Sequence, residues 1–409
     1  MSLRFDDRPI LVFWETTRAC PLACRHCRAE ALHHPLPGEL STAEGLRLID
    51  EITRFGRPHP VLVLTGGDCL QRPDLEVLVG HAGERGVPVA LSPSVSPSLT
   101  GERMAGLREL GVRSVSVSLD GALPATHDRT RGVEGHLGQT LRAVALLRGL
   151  GYTVQVNTTV MAGNVEELAD VAALLLAAGV GVWEVFFLIA VGRGAASEAL
   201  SAAECEDVCH VLVDVAQRGM VVRTVEGPFF RRVAAARRGR PAAPGETGPL
   251  HRRLAARLDD LLAGGGAAVP RAPVEDAPPR PPRPLRPPAG VGGERHRGST
   301  STTATRDGSG LIFVAHDGGI LPSGFLPLPL GNVRRDSLVD VYRESPLLRD
   351  IRAARFAGRC GLCPYRRLCG GSRARAFAAT GDALGEDPAC AYLTPAHSAW
   401  PARAAEVGA

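Results

Sequence analysis

Ile10-Leu-Val-Phe-Trp-Glu-Thr-Thr-Arg-Ala-Cys20-Pro-Leu-Ala-Cys24-Arg-His-Cys27 sets a short apolar strand directly before a loop carrying three cysteines. The theme of apolar run, loop and amphipathic helix recurs through the first half of the chain. Strands are expected at Ile10–Trp14, Val61–Thr65, Val87–Ser92, Ser114–Leu119, Thr153–Thr159 and Val182–Leu188, each short and rich in β-branched or apolar residues. Ser41-Thr-Ala-Glu44 and Ser201-Ala-Ala-Glu204 read as capping boxes that open helices. Gly86, Gly111, Gly151, Gly179 and Gly219 stand where helices should close. Six strand–helix units in series predict an α/β fold whose parallel sheet curves into a full or partial (βα)6 barrel. A flat doubly wound sheet has the same periodicity. In either case chemistry gathers at the C-terminal ends of the strands, which is where the cysteine loop falls.

The chain of 409 residues, 44% hydrophobic, can bury one large core and a smaller one. Its net charge of +4 is spread out, which argues against a nucleic-acid-binding face. Met1–Pro9 is charged, Ile10–Trp14 is too short for a secretory core, and no apolar run is long enough to cross a bilayer. A cytoplasmic protein without a membrane span is therefore expected, and a reducing compartment turns the 10 cysteines towards metal or redox chemistry. Three regions are expected: a barrel over 1–230, a low-complexity Pro/Arg-rich linker over 231–305, and a small cysteine-bearing domain over 306–400. Within the linker, His251–Leu262 allows one short helix, and Pro270–Thr303 reads as extended and mobile. Leu311–Val314 and Ile320–Pro322 predict a β-hairpin, and Asp336–Arg352 predicts one helix.

Three thiolates from Cys20, Cys24 and Cys27 satisfy three irons of a cubane cluster and leave the fourth iron open. A structural zinc site completed by His26 or a distant residue would use the same spacing. Cys-x3-Cys-x2-Cys after the first strand, with the lead-in Trp14–Cys20, resembles the signature of the radical S-adenosylmethionine (SAM) superfamily. The resemblance implies a [4Fe-4S] cluster whose open iron chelates the methionine moiety of SAM. An electron from a reductant such as flavodoxin or ferredoxin then leads to a 5′-deoxyadenosyl radical that abstracts a substrate hydrogen. Further positions follow in family order. Gly66, Gly67 and Asp68 resemble a glycine-glycine-acid motif for the amino group of SAM, with Asp where Glu is usual. Ser92, Ser118 and Asp120 resemble positions near the cofactor carboxylate and ribose, and Asn157 and Leu188–Val191 would complete the pocket.

Cys360, Cys363, Cys369 and Cys390 supply four further thiolates, enough to close a second cluster or to hold zinc. The segment resembles the SPASM extension of radical SAM enzymes. Ser323 and Arg373 replace two hallmark cysteines, so the resemblance implies one auxiliary [4Fe-4S] cluster, for electron relay or support. Gly324–Asn332 and Cys369–Arg375 look most like the branch near haem d1 and alternative haem biosynthesis, which also includes peptide maturases. That branch implies a ribosomally made peptide or a tetrapyrrole as substrate, and the peptide is the first expectation because it is commoner among SPASM-bearing enzymes. A non-catalytic zinc or redox-sensing protein is the rival of another class. Cys69, Cys205, Cys209 and His210 read as packing, and His33 and His34 as exposed. Arg373 and Arg375 read either as a solvated helix face or as contacts to an acidic substrate.

Overall fold

The computed structural model describes residues 5–30, 32–194, 198–237, 240–243, 245–264 and 305–392. The expected extended stretch Pro270–Thr303 lies outside them.

The barrel half runs β1 (Leu11–Glu15), α1 (Thr42–Thr53), β2 (Val61–Thr65), α2 (Leu75–Glu84), β3 (Val89–Leu91), α3 (Gly101–Glu109) and β4 (Ser114–Ser118). It continues with α4 (Pro124–Arg131), α5 (His136–Gly149), β5 (Thr153–Val160), α6 (Leu168–Ala177), β6 (Val182–Phe187), α7 (Ala202–Gln217) and β7 (Val221–Val225). Next come α8 (Phe229–Arg237) and α9 (Pro249–Ala263), then β8 (Leu311–Val314), β9 (Gly319–Leu321) and β10 (Gly331–Asn332). The remaining helices are α10 (Leu338–Glu344), α11 (Pro346–Ala353), α12 (Gly358–Leu362) and α13 (Arg373–Thr380).

All six expected strands form, and β7 adds a seventh that the sequence reading missed. One ten-stranded sheet results, in the order β10-β9-β8-β1-β2-β3-β4-β5-β6-β7. Strands β8 and β1 to β7 are parallel. The sheet is open at β10 and β7, as a partial barrel requires. Its convex face carries the fully buried residues: Val154 and Val156 of β5 and Trp183 of β6 pack with Leu147, Leu175 and Val208 of the helices. The half-buried alternates, such as Gln155, Asn157 and Glu184, line the concave face.

Three expectations need correction. The linker does not begin at residue 231, because α8 and α9 are ordered helices packed on the barrel. Leu250, Leu254 and Leu258 recur every fourth residue on α9 and are all buried, and Asp207 of α7 accepts the N–H groups of Gly248, Leu250 and His251. The region after 306 does not stand apart either, since β8 pairs in parallel with β1 over Leu11↔Leu311 to Trp14↔Val314. Finally, Asp336–Arg352 is two helices. Ser345 closes α10 and caps α11 through the Leu348 N–H, and Pro346, without an N–H, begins the new helix. Among the described residues no helix is long and apolar enough to cross a membrane.

Candidate active site and cysteine centres

The first cysteine loop lies over the C-terminal ends of β1, β2 and β4. Cys20 and Cys24 are buried, Cys27 is half-buried, and all three pack together with Leu22 and Val133. Leu22 N–H donates at 3.4 Å to Cys20 Sγ and Arg131 Nη1 at 3.5 Å to Cys24 Sγ, and Ser94 Oγ lies 3.4 Å from Cys20 Sγ. Burial pushes the Cys20 thiol up, a cost that iron ligation would offset by stabilising the thiolate. Gly66 and Gly67 hold the loop down: a Cβ on either would collide with the carbonyl of Thr17 or Ala19. Gly67 N–H and Asp68 N–H donate to those same carbonyls at 2.8 Å each.

Both strand-end acids are engaged by groups of the protein itself. Asp68 is wholly buried, and its oxygens accept from Leu70 N, Ser94 N, Gln71 Nε2 and Ser96 Oγ. Four donors fill a carboxylate's four acceptor sites, so the expected pairing of Asp68 with an ammonium finds no free lone pair. Asp120 is 1% exposed and accepts from Thr159 N, His26 Nε2 at 3.0 Å and Arg131 Nη2 at 2.5 Å. Burial alone would raise its pKa, but Arg131 and then His26 hold it well below the usual carboxylate range. Asp120 thus anchors two residues of the cluster surround. Arg131 Nε and His26 Nδ1 are buried without a partner, pointing to a group that the protein itself does not supply.

Ser92 is half-buried and offers its backbone to Leu64; Ser94, two residues on, is the serine that touches Cys20. Ser118 and Asn157 face each other across β4 and β5, and the same row continues to Glu184 and Arg223. Gln155 Nε2 joins Asn157 and Glu184 at 2.8 and 2.9 Å. This polar row is visible only once the strands are in register. Opposite it lies an aromatic wall. Arg28 Cζ sits 4.9 Å from the Phe313 ring centre and 5.9 Å from that of Phe325, and Phe325 lies 6.2 Å from Phe186 of β6. Glu15 accepts from Arg28 and pairs with His316, each at 2.9 Å. The loop after β9 therefore roofs the concave face, with buried Leu326 packed beside Ile189 and Ala374.

In the second centre Cys360 and Cys369 are buried, while Cys363 and Cys390 are half-buried. Cys360, Cys369 and Cys390 lie within electrostatic reach of one another, and burial pushes their thiols up, Cys369 to about 12. Cys363 caps α12, and no described contact ties it to the other three. Asp387 N–H meets Cys360 Sγ and Gly371 N–H meets Cys369 Sγ, both at 3.4 Å. All ten cysteines are free of disulfides. Among the described residues no three His, Cys, Asp or Glu side chains are gathered tightly enough for a single metal ion. A cubane places each thiolate on a different iron, which spreads its ligands further apart. Cys69, Cys205 and Cys209 are buried and His33 and His34 exposed. Arg373 and Arg375 are not a solvated face: Arg373 is 0% exposed, and Arg375 pairs with Asp387 at 3.2 Å.

Residues 14–176 match the family described as the radical SAM superfamily. The AdoMet-dependent heme synthase of Nitratidesulfovibrio vulgaris is 32% identical over 389 residues, covering 93% of this chain and 92% of that protein. The PqqA peptide cyclase of Methylocella silvestris is 27% identical over 391 residues, covering 95% and 89%. SuiB of Streptococcus suis bound to S-adenosylmethionine shares the fold, with a TM-score of 0.60 at 14% identity over 94% of this chain and 77% of that one.

Proposed function

This chain belongs to the radical SAM superfamily, and from that premise we propose that it abstracts hydrogen from a carboxylate-bearing tetrapyrrole in haem-type biosynthesis. The observation that carries the substrate class is the 32% identity, over nearly the whole of both chains, to a protein named a heme synthase. The concave face supports it: the half-buried rings of Phe186 and Phe325 offer flat apolar surface, beside an Arg28 guanidinium that Glu15 holds in place. A ribosomally made peptide is the second reading, supported by the 27% identity to a peptide cyclase.

A [4Fe-4S] cluster with S-adenosylmethionine would supply the hydrogen-abstracting radical when bound. The chain's own part is to hold and aim. Cys20, Cys24 and Cys27 provide three thiolates, which Ser94 and Arg131 steady by hydrogen bonds. Asp120 fixes Arg131 and His26. The backbone at Gly66 and Gly67, with Ser92, Ser118 and Asn157, offers polar groups to the cofactor, and Asp68 serves by fixing the Ser94–Ser96 turn. Cys360, Cys363, Cys369 and Cys390 would hold the auxiliary cluster, with flavodoxin or ferredoxin as reductant.

The test is anaerobic reconstitution with iron and sulfide analysis, then assay of 5′-deoxyadenosine with dithionite, S-adenosylmethionine and an iron tetrapyrrole bearing propionates. About eight irons per chain are expected, falling to about four when Cys20, Cys24 and Cys27 are alanine. Tetrapyrrole should raise 5′-deoxyadenosine formation and change in mass. An inert tetrapyrrole beside a modified precursor peptide would move the assignment to the second reading, and zinc in place of iron would overturn both.

A further inference from the structure

The second cysteine centre is ringed by arginines that lack carboxylate partners. Arg231, 7% exposed, donates to the carbonyls of Leu368 at 3.5 Å and of Thr305. Arg306 donates to the carbonyls of Arg366, Arg367 and Cys369 at 3.2, 3.2 and 3.1 Å. Arg373, 0% exposed, donates to the carbonyls of Gly371, Ala383 and Gly385 at 3.3, 3.0 and 2.6 Å, and its Nη2 lies 3.7 Å from Cys360 Sγ. Their neighbours Arg232 and Arg375 pair with Glu206 and Asp387; among the described residues these three form no such pair.

The local sequence is shaped around them. Gly370 and Gly371 have φ of +73° and +66°. A Cβ on Gly370 would collide with Arg306 Nη1, and one on Gly371 would lie 2.6 Å from Arg373 Nη2 and 3.0 Å from Cys360 Sγ. The Cys369-Gly-Gly turn is therefore what lets the Arg373 guanidinium reach the Cys360 sulfur and the Arg306 guanidinium reach the Cys369 carbonyl. The Phe356 ring lies against both, its centre 5.6 Å from Arg306 Cζ and 4.4 Å from Arg373 Cζ.

Arg231 and Arg373 are buried without an ion pair, and Arg306 is half-buried with Asp307 within electrostatic reach. Buried guanidiniums short of counter-charge are strongly unfavourable, so the arrangement calls for an anion among the cysteines. A four-thiolate iron–sulfur cluster is one, because its thiolates outweigh the positive charge of its core. Resting on the auxiliary-cluster reading above, we propose that Arg231, Arg306 and Arg373 are the built-in counter-charge of that centre and raise its reduction potential. Reduction adds a negative charge, which fixed positive charges stabilise. The first centre differs in kind, since the charge of Arg131 is balanced there by Asp120. Arg373 stands where the resemblance would place another cysteine, so a ligand position has become a charge position.

The experiment uses the full chain with Cys20, Cys24 and Cys27 replaced by alanine, which isolates the second centre, and reads its midpoint potential by redox titration followed by electron paramagnetic resonance. Arg373→Met and Arg231→Met should each lower the midpoint while iron stays at about four per chain, and Arg373→Lys should stay near the parent. Unchanged midpoints with iron retained overturn the proposal. If the Met variants lose iron, retention by Arg373→Lys at the parental potential supports it, and loss there too overturns it, because shape rather than charge would then matter. A parent holding zinc or no metal defeats the auxiliary-cluster reading itself, before any arginine is changed.

Discussion

Glu15 shows how one buried carboxylate organises the aromatic wall of the concave face. Burial would raise its pKa, but the hydrogen bond from His316 and the charge of Arg28 outweigh it and bring it from the ordinary 4.5 to about 2. Its folded-state value is depressed, so its stabilisation is complete above pH 4.5 and fades as pH falls towards 2. Glu15→Gln should therefore lower the thermal midpoint at pH 7, and the gap to the parent should narrow below pH 4.5. Asp120 is the corresponding anchor at the cluster side. Asp120→Asn leaves the buried Arg131 charge uncompensated and should cost about 3 kcal/mol in urea unfolding. Neither role is legible at the residue level alone. Asp120 sits in a strand-end motif that suggested a ligand contact, and its engagement with His26 and Arg131 depends on chain segments brought from 94 and 11 positions away.

At the scale of elements, local rules held where a signal spans a few residues. The capping boxes at Ser41 and Ser201 form as read, with both reciprocal hydrogen bonds. The hairpin of β8 and β9 pairs Phe313 with Leu321 and Val314 with Ile320. Reading failed where an element depends on a distant partner. Helix α9 has no side-chain cap of its own and takes one from Asp207, 41 to 44 residues earlier. Asp207→Ala should cost about 1–2 kcal/mol, and hydrogen exchange at residues 250–252 should accelerate before the rest of the barrel responds. A basic, alanine-rich span looked like linker because its burial against α6 and α7 is not encoded in its composition.

For the whole molecule the decisive contact is β8 against β1. A chain ending after Gly264 would lack β8 and bare the β1 edge, whose buried Val12 and Trp14 lie in the main core. Such a chain should be insoluble or melt well below the full-length protein, as scattering and thermal unfolding would show. The same insertion carries Phe313, His316 and Phe325 to the concave face, so the aromatic wall is built by the C-terminal region on a frame supplied by the first half. Periodicity, caps and glycine placement alone determined the class of fold and six of its strands, because those signals are local and repeat within a few residues. Only the tertiary structure decided that β8 joins the barrel beside β1, that Asp68 and Asp120 accept hydrogen bonds from the loops around them, and that Arg231, Arg306 and Arg373 surround the second centre. Strand register and the burial of charge are set by groups far apart in the chain, and they exist only once those groups have met.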